Sequence, residues 1–157
     1  MRRLAVTLVL AAVALAGCGE GKPKDDPGVF ATQVVRLIVH NKYSHVWADM
    51  HPVDQKVAPF AEYTGCENRS PVIAVPRTVK VVGVTDESVG LGDGTFADSK
   101  AVRVKLGFAG GFSVVHTVHV VAHHGKWKWI LPSWRFRDYK ADRCPTDAGS
   151  APAPNQA

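Results

Sequence analysis

Residues 100–122 read KAVRVKLGFAGGFSVVHTVHVVA, and this stretch predicts two β-strands joined by a short turn. Valine recurs at alternate positions on both sides of residues 109–111, a pattern typical of strands that bury one face. A three-residue connection at 109–111 pairs Phe108 with Phe112, Leu106 with Val114, Val104 with His116 and Val102 with Val118. The pairing makes one face of the hairpin apolar except for a single histidine.

A two-residue turn through the glycines is the competing register. That register moves Lys105 and Arg103 onto the apolar face, where unpaired cations are costly to bury, so the three-residue connection is preferred. Continuing the preferred register through the next turn places His116 opposite Ser133. We therefore expect His116 to point into the interior beside Ser133, and His119 to point away.

Sequence on both sides of this hairpin extends the fold. The runs 78–84 and 126–131 are rich in valine or aromatic residues and complete an antiparallel sheet of four or more strands. Upstream, Asp26 and Pro27 are start signals for a first helix, and residues 43–65 predict two or three short helices. Helices followed by antiparallel strands make an α+β domain with the helices packed on one face of a curved sheet.

Residues 1–17 are typical of an export signal. Arg2 and Arg3 precede an apolar stretch over residues 4–15, which as a helix rises only about 18 Å and cannot cross a hydrocarbon core of roughly 30 Å. The LAGC sequence that ends at Cys18 resembles the lipobox of bacterial lipoproteins. This resemblance implies cleavage before Cys18 and acyl chains on it, and therefore a lipid-anchored protein on the extracytoplasmic face of the cell membrane or envelope. The alternative is an ordinary secretory signal with an incidental cysteine.

The net charge of the mature protein indicates which classes of partner it suits. Loss of Arg2 and Arg3 lowers the formal charge from +5 to +3, a mildly basic balance that suits a nearby anionic lipid or cell-wall polymer. The basic residues are spread along the chain, so we expect no nucleic-acid partner. Residues 18–26 predict a lipidated tether and residues 146–157 a disordered tail, which leaves 27–145 as one domain.

Three cysteines become two once Cys18 is lipidated. Cys66 and Cys144 then form an even pair in an oxidising compartment, where disulfides persist. We therefore expect a Cys66–Cys144 disulfide.

The domain resembles the nuclear transport factor 2-like superfamily, also called ketosteroid isomerase-like. Small secreted lipoproteins of that superfamily show a similar pattern to Trp47, His51-Pro52, Tyr63 and Cys66, and the last strand, GKWKWIL, is also similar. The resemblance implies a long first helix and shorter ones packed into a curved sheet, which together form a cone with a pocket.

Catalytic and metal-binding groups are sparse. Enzymes of this superfamily move protons with buried Asp, Tyr or His, but the strands here hold no acid between Val102 and Ile130. His116 and His119 are three apart on a strand and point to opposite faces, so they cannot share an ion. No Cys/His cluster has zinc spacing. We assign no catalytic residue and expect no metal or cofactor.

The residues expected to line a ligand pocket come from both halves of the chain: Trp47, Tyr63, His116, Trp129 and Ser133. Three functions stay open: a non-enzymatic lipoprotein that binds an apolar small ligand or an envelope protein, an enzyme that uses the cone for isomerase- or cyclase-like proton transfer, and an accessory module. An open apolar pocket indicates the first, a histidine with an acid partner in a deep pocket the second, and a filled interior with an exposed apolar patch the third. We favour non-enzymatic binding or an accessory role.

Lipidation at Cys18 is directly testable. Cys18→Ala should release the protein from the membrane fraction or leave it unprocessed, because acylation requires the thiol. Intact-mass analysis of the native mature protein should show acyl mass on its N-terminal residue, and its absence would remove the anchor.

Overall fold

The computed structural model describes residues 21–146 of the chain. The signal region, Cys18 and residues 147–157 of the predicted tail lie outside the described residues. Within residues 21–146 the chain forms these elements in order: α1 (Pro27–Val39), α2 (Tyr43–Ala48), α3 (Pro52–Val57), α4 (Phe60–Arg69), β1 (Thr78–Gly90), β2 (Phe96–Gly107), β3 (Ser113–His123), β4 (Lys126–Trp129) and α5 (Ser133–Lys140). None of the helices in this part of the chain is long and apolar enough to cross a bilayer.

The four strands form one antiparallel sheet in the order β1-β2-β3-β4. The predicted register of β2 with β3 is confirmed, since Val104 lies opposite His116 and Leu106 opposite Val114. The turn between them places Gly110 at φ 81°, a left-handed conformation that favours glycine. The predicted pairing of β4 with β3 is also confirmed where Trp129 lies opposite Val120.

The core lies between the helices and one face of this sheet. Val102, Val104 and Val120 are fully buried on that face, and Val34 and Val46 are fully buried on α1 and α2. Full burial of a valine side chain stabilises the fold by roughly 1.5–3 kcal/mol. The α+β architecture, with several helices and a four-stranded antiparallel sheet, results from this arrangement.

Helix α1 begins where the sequence predicts. The Asp26 carboxylate accepts hydrogen bonds from the backbone N–H groups of Gly28 and Val29 at 2.7 and 3.0 Å, and Pro27 occupies the first turn. Gly28 lets the helix approach the sheet, because a Cβ there would lie 3.1 Å from a methyl group of Val81. The start of α1 therefore lies against β1.

Several boundaries differ from the predictions. The sequence predicts that the helical region ends at residue 65. In the structure α4 continues to Arg69, so Cys66 is helical. β1 extends beyond residue 84 to Gly90, through a polar stretch whose composition resembles a turn. β4 ends at Trp129 because the Leu131 N–H donates to Asp54 and Pro132 has no N–H to offer β3.

Helix α5 was not predicted from the sequence. It begins after Pro132 and buries Phe136 and Tyr139 on one side, whereas most of its other residues are polar. The spacing of Phe136 and Tyr139 directly after Pro132 is the signal that could have indicated a helix.

The Cys66–Cys144 disulfide is present, with Cα atoms 5.2 Å apart. It joins α4 to the segment after α5, and the two cysteines are 78 positions apart in sequence. The pairing predicted from the cysteine count is confirmed.

Replacing both cysteines tests how much this link stabilises the domain. A Cys66→Ala/Cys144→Ala protein should lose about 4 kcal/mol of unfolding free energy, because the unfolded chain regains the freedom of a long loop. Urea unfolding of the wild-type and doubly substituted proteins, without reductant, measures the difference. An unchanged midpoint would mean that the unfolded chain is compact without the link.

Candidate functional site

Three of the five side chains that were expected to line a cone pocket pack in the interior of the domain: Trp47, Tyr63 and Trp129. Tyr63 and Trp129 are 2% and 5% exposed and belong to the core. The Trp129 indole N–H donates to the Val46 carbonyl at 2.7 Å, and the half-buried Trp47 donates to the Ala58 carbonyl at 2.8 Å. These side chains therefore have structural partners and pack the space between helices and sheet.

His116 does not point into the core beside Ser133. His116 is exposed, although its cross-strand partner Val104 is fully buried. The reason is the early end of β4: the chain leaves the sheet after Ile130, so no strand of the described sheet covers the edge of β3 beside His116. Ser133 is the first residue of α5, not a strand residue. The register was right, but the inferred environment of His116 was wrong.

His119 lies on the opposite face of β3 and contributes to the lining of a pocket. Its Nε2 atom is 3.0 Å from a carboxylate oxygen of Glu87 on β1. This contact reaches across β2, where Ala101 lies between the two strands and is 1% exposed. Because both side chains are partly exposed, the pair stabilises the fold by less than about 1 kcal/mol.

A pocket of about 580 Å³ lies between β3, the end of β1 and the start of α5. Asp54, Thr117, His119, Ser133 and Trp134 contribute to its lining. We call it the Asp54 pocket. Of the predicted pocket residues, Ser133 is the one that the structure places here.

The tip of the β1–β2 hairpin closes one side of the Asp54 pocket. Gly92, at φ 77°, lies so close to Phe136 that a Cβ would fall 2.2 Å from the ring. Glycine is required there on both counts, the close approach and the positive φ. The contact fixes the hairpin tip against α5.

Asp54 is the buried acid of this pocket, with 1% of its surface exposed. One carboxylate oxygen accepts the Leu131 N–H at 2.8 Å. Burial raises the pKa of Asp54 to about 7, and the hydrogen bond from Leu131 opposes part of that rise. Near neutral pH the carboxyl group therefore exists in both protonation states and can accept or donate a proton.

A second buried acid, Glu67, is held by contacts with two side chains of α5. It accepts a hydrogen bond from the Tyr139 hydroxyl at 2.7 Å and forms an ion pair with Arg135. Burial, and next the charge of Glu67, raise the pKa of Tyr139 above its usual range. The cluster joins α4 to α5 and so supports the same pair of elements as the disulfide.

A separate apolar groove of about 790 Å³ runs between α1 and β1. Three valines that line it are exposed by 65%, 40% and 44%: Val29, Val81 and Val84. Among the described strands only β2 pairs with β1, so the outer edge of β1 has no strand partner within residues 21–146. A bulge between Val81 and Gly83 interrupts the strand once. We call this surface the α1–β1 groove.

Metal-binding geometry is absent from residues 21–146. No group of three or more His, Cys, Asp or Glu side chains in this part of the chain is placed to hold an ion.

Neither the protein-family models nor the curated proteins compared with this chain match it. The functional argument therefore rests on the Asp54 pocket and the α1–β1 groove.

Neither surface was predicted from the sequence. Asp54 comes after Pro52 in the first turn of a helix, where an acidic residue is common, and nothing local indicates that it is buried. The α1–β1 groove depends on which strand lies at the sheet edge. The exposed valine-rich start of β1, TVKVV, was the available signal.

Asp54→Asn tests the buried carboxyl group. An unfolded aspartate has a pKa near 3.9, whereas that of folded Asp54 is about 7. The folded protein therefore binds the extra proton across this window, and its unfolding free energy should fall by about 1.4 kcal/mol per pH unit as pH rises from about 4 to 7. Asp54→Asn should flatten this decline while the amide oxygen still accepts from Leu131.

Urea unfolding across the same pH window measures both slopes. Asp98→Asn, at an exposed carboxylate of β2, is the matched control and should keep the wild-type slope. Equal slopes in the wild-type and Asp54→Asn proteins would contradict the assignment.

Proposed function

We propose that the mature protein is a lipid-anchored module of the bacterial cell envelope, non-enzymatic, that binds a partner protein through the α1–β1 groove. The observation that carries this proposal is an exposed apolar groove beside a strand with a free edge. Monomeric domains rarely leave such surfaces uncovered without a binding role. The burial of Tyr63 and Trp129 in the core favours an accessory module over a protein that holds a ligand inside a cone.

The chemistry of the groove favours an extended segment of the partner. The free edge of β1 offers backbone N–H and C=O groups to an added strand, and Val29, Val81 and Val84 offer contacts to alternate apolar side chains. Arg36 and Lys42 also line the groove and favour an acidic residue in the bound segment.

The proposed anchor and fold family have separate support. The LAGC sequence before Gly19 supports lipidation at Cys18, and the disulfide is consistent with an oxidising compartment outside the cytoplasm. The order of elements, a longer first helix, then short helices and an antiparallel sheet, supports a nuclear transport factor 2-like domain.

A second candidate function is specific to the Asp54 pocket. A buried carboxyl group with a pKa near 7 can act as a general acid or base, so the pocket is suited to binding a small molecule or to proton transfer. His119, which contacts Glu87, also lines this pocket. This is the enzymatic alternative, located outside the expected cone.

Selection from a library of displayed short peptides tests the groove. The domain should select peptides with alternating apolar residues, and Val84→Glu should weaken their binding at least about tenfold, because a carboxylate placed in an apolar contact costs more than about 1.4 kcal/mol. Fluorescence polarisation of the selected peptides measures the affinities.

The matched control is Val115→Glu, which adds the same charge at a valine of β3 that is 47% exposed and lies outside the groove. Its peptide affinity should equal that of the wild type. Peptides that bind all three proteins equally, or the failure to select any, would overturn groove binding.

A further inference from the structure

We infer that the domain is held with its β3–β4 turn facing the lipid bilayer, in one orientation. This inference rests on the proposed lipid anchor at Cys18. It adds which surface of the domain contacts the membrane, a property that lipidation alone does not determine.

The first described residues are held against the sheet and do not form a free linker. The Trp127 indole N–H donates to the Asp25 carbonyl at 2.7 Å, and Asp26 caps α1. The Gly21 carbonyl oxygen lies 3.5 Å from the position that a Cβ on Gly125 would occupy. The chain therefore enters the domain beside the β3–β4 turn, whereas the whole segment 18–26 was expected to be a flexible tether.

The remaining tether is short. Cys18 precedes Gly21 by three residues, which span at most about 10–11 Å when fully extended. A lipid on Cys18 therefore keeps Gly21, and the β3–β4 turn beside it, within that distance of the bilayer surface. The opposite end of β3, an eleven-residue strand, lies roughly 35 Å further along the sheet.

Both lysines and acids lie at the entry point. Lys22 and Lys24 precede α1, Lys126 begins β4 directly after the turn, and all three are exposed. Glu20, Asp25 and Asp26 are acids of the same stretch of sequence, so the lysines are not in excess. The orientation therefore follows from the length and path of the tether.

The same orientation bears on the α1–β1 groove. Asp26 lines one end of that groove and lies next to the tether. That end of the groove is therefore the one nearer the membrane.

Fluorescence quenching in vesicles tests the orientation. Full-length lipidated protein, carrying a thiol-reactive fluorophore at Lys126→Cys or at Ala109→Cys in the β2–β3 turn, is reconstituted into phosphatidylcholine vesicles that contain phosphatidylglycerol and a headgroup spin-labelled lipid. The Cys66–Cys144 disulfide leaves the introduced thiol as the reactive one. Quenching should be several-fold stronger at position 126 than at 109.

A linker control separates orientation from simple proximity. Inserting about twenty Gly/Ser residues between Cys18 and Gly21 gives a reach of roughly 25 Å, so the difference between the two labels should shrink strongly. Equal quenching of both labels in membrane-bound protein with the native tether would overturn the orientation and leave the anchor intact. Protein that carries no acyl group and does not sediment with vesicles would overturn both.

Discussion

Trp129, in the shortest strand, makes three hydrogen bonds that attach the helical half of the domain to the sheet. Its backbone N–H donates to Asp49 at 3.1 Å, its carbonyl accepts from His51 at 2.9 Å, and its indole donates to Val46. The same residue pairs with Val120 on β3. The segment between α2 and α3 thus bonds to the edge of β4 that faces away from β3. Trp129 therefore joins this segment on one side and β3 on the other.

The path of the chain after Trp129 determines the rest of the architecture. The Leu131 N–H leaves the sheet to bond Asp54, the chain turns at Pro132, and α5 begins. This departure creates the Asp54 pocket beside β3 and uncovers the strand edge next to His116. The carboxyl group of Asp54 is therefore both a support for the turn and the titratable group of the pocket.

The sequence predicted the features that depend on neighbouring residues or on a strong local pattern. Lys105 and Arg103 determined the β2–β3 register because only one register keeps both out of the core, and Asp26 with Pro27 determined the start of α1. The bond between Leu131 and Asp54 joins residues 77 positions apart, and the Glu67–Tyr139 bond joins residues 72 apart. Such contacts leave no periodic signal in either segment, so the end of β4, helix α5 and the Asp54 pocket were not predicted. Of the pocket residues expected inside the cone, Tyr63 and Trp129 are part of the core and Trp47 packs against it, whereas His116 and Ser133 are exposed.

In the proposed export of the protein, the covalent link between residues 66 and 144 would couple folding to transport. A cytoplasm that keeps thiols reduced prevents the disulfide from forming in the newly made chain. The reduced chain then lacks the cross-link that lowers the conformational entropy of the unfolded state. A less stable precursor is easier to keep unfolded for passage through a translocation channel. Oxidation on the far side of the membrane would then secure the fold after transport, so that folding and crossing occur in the required order.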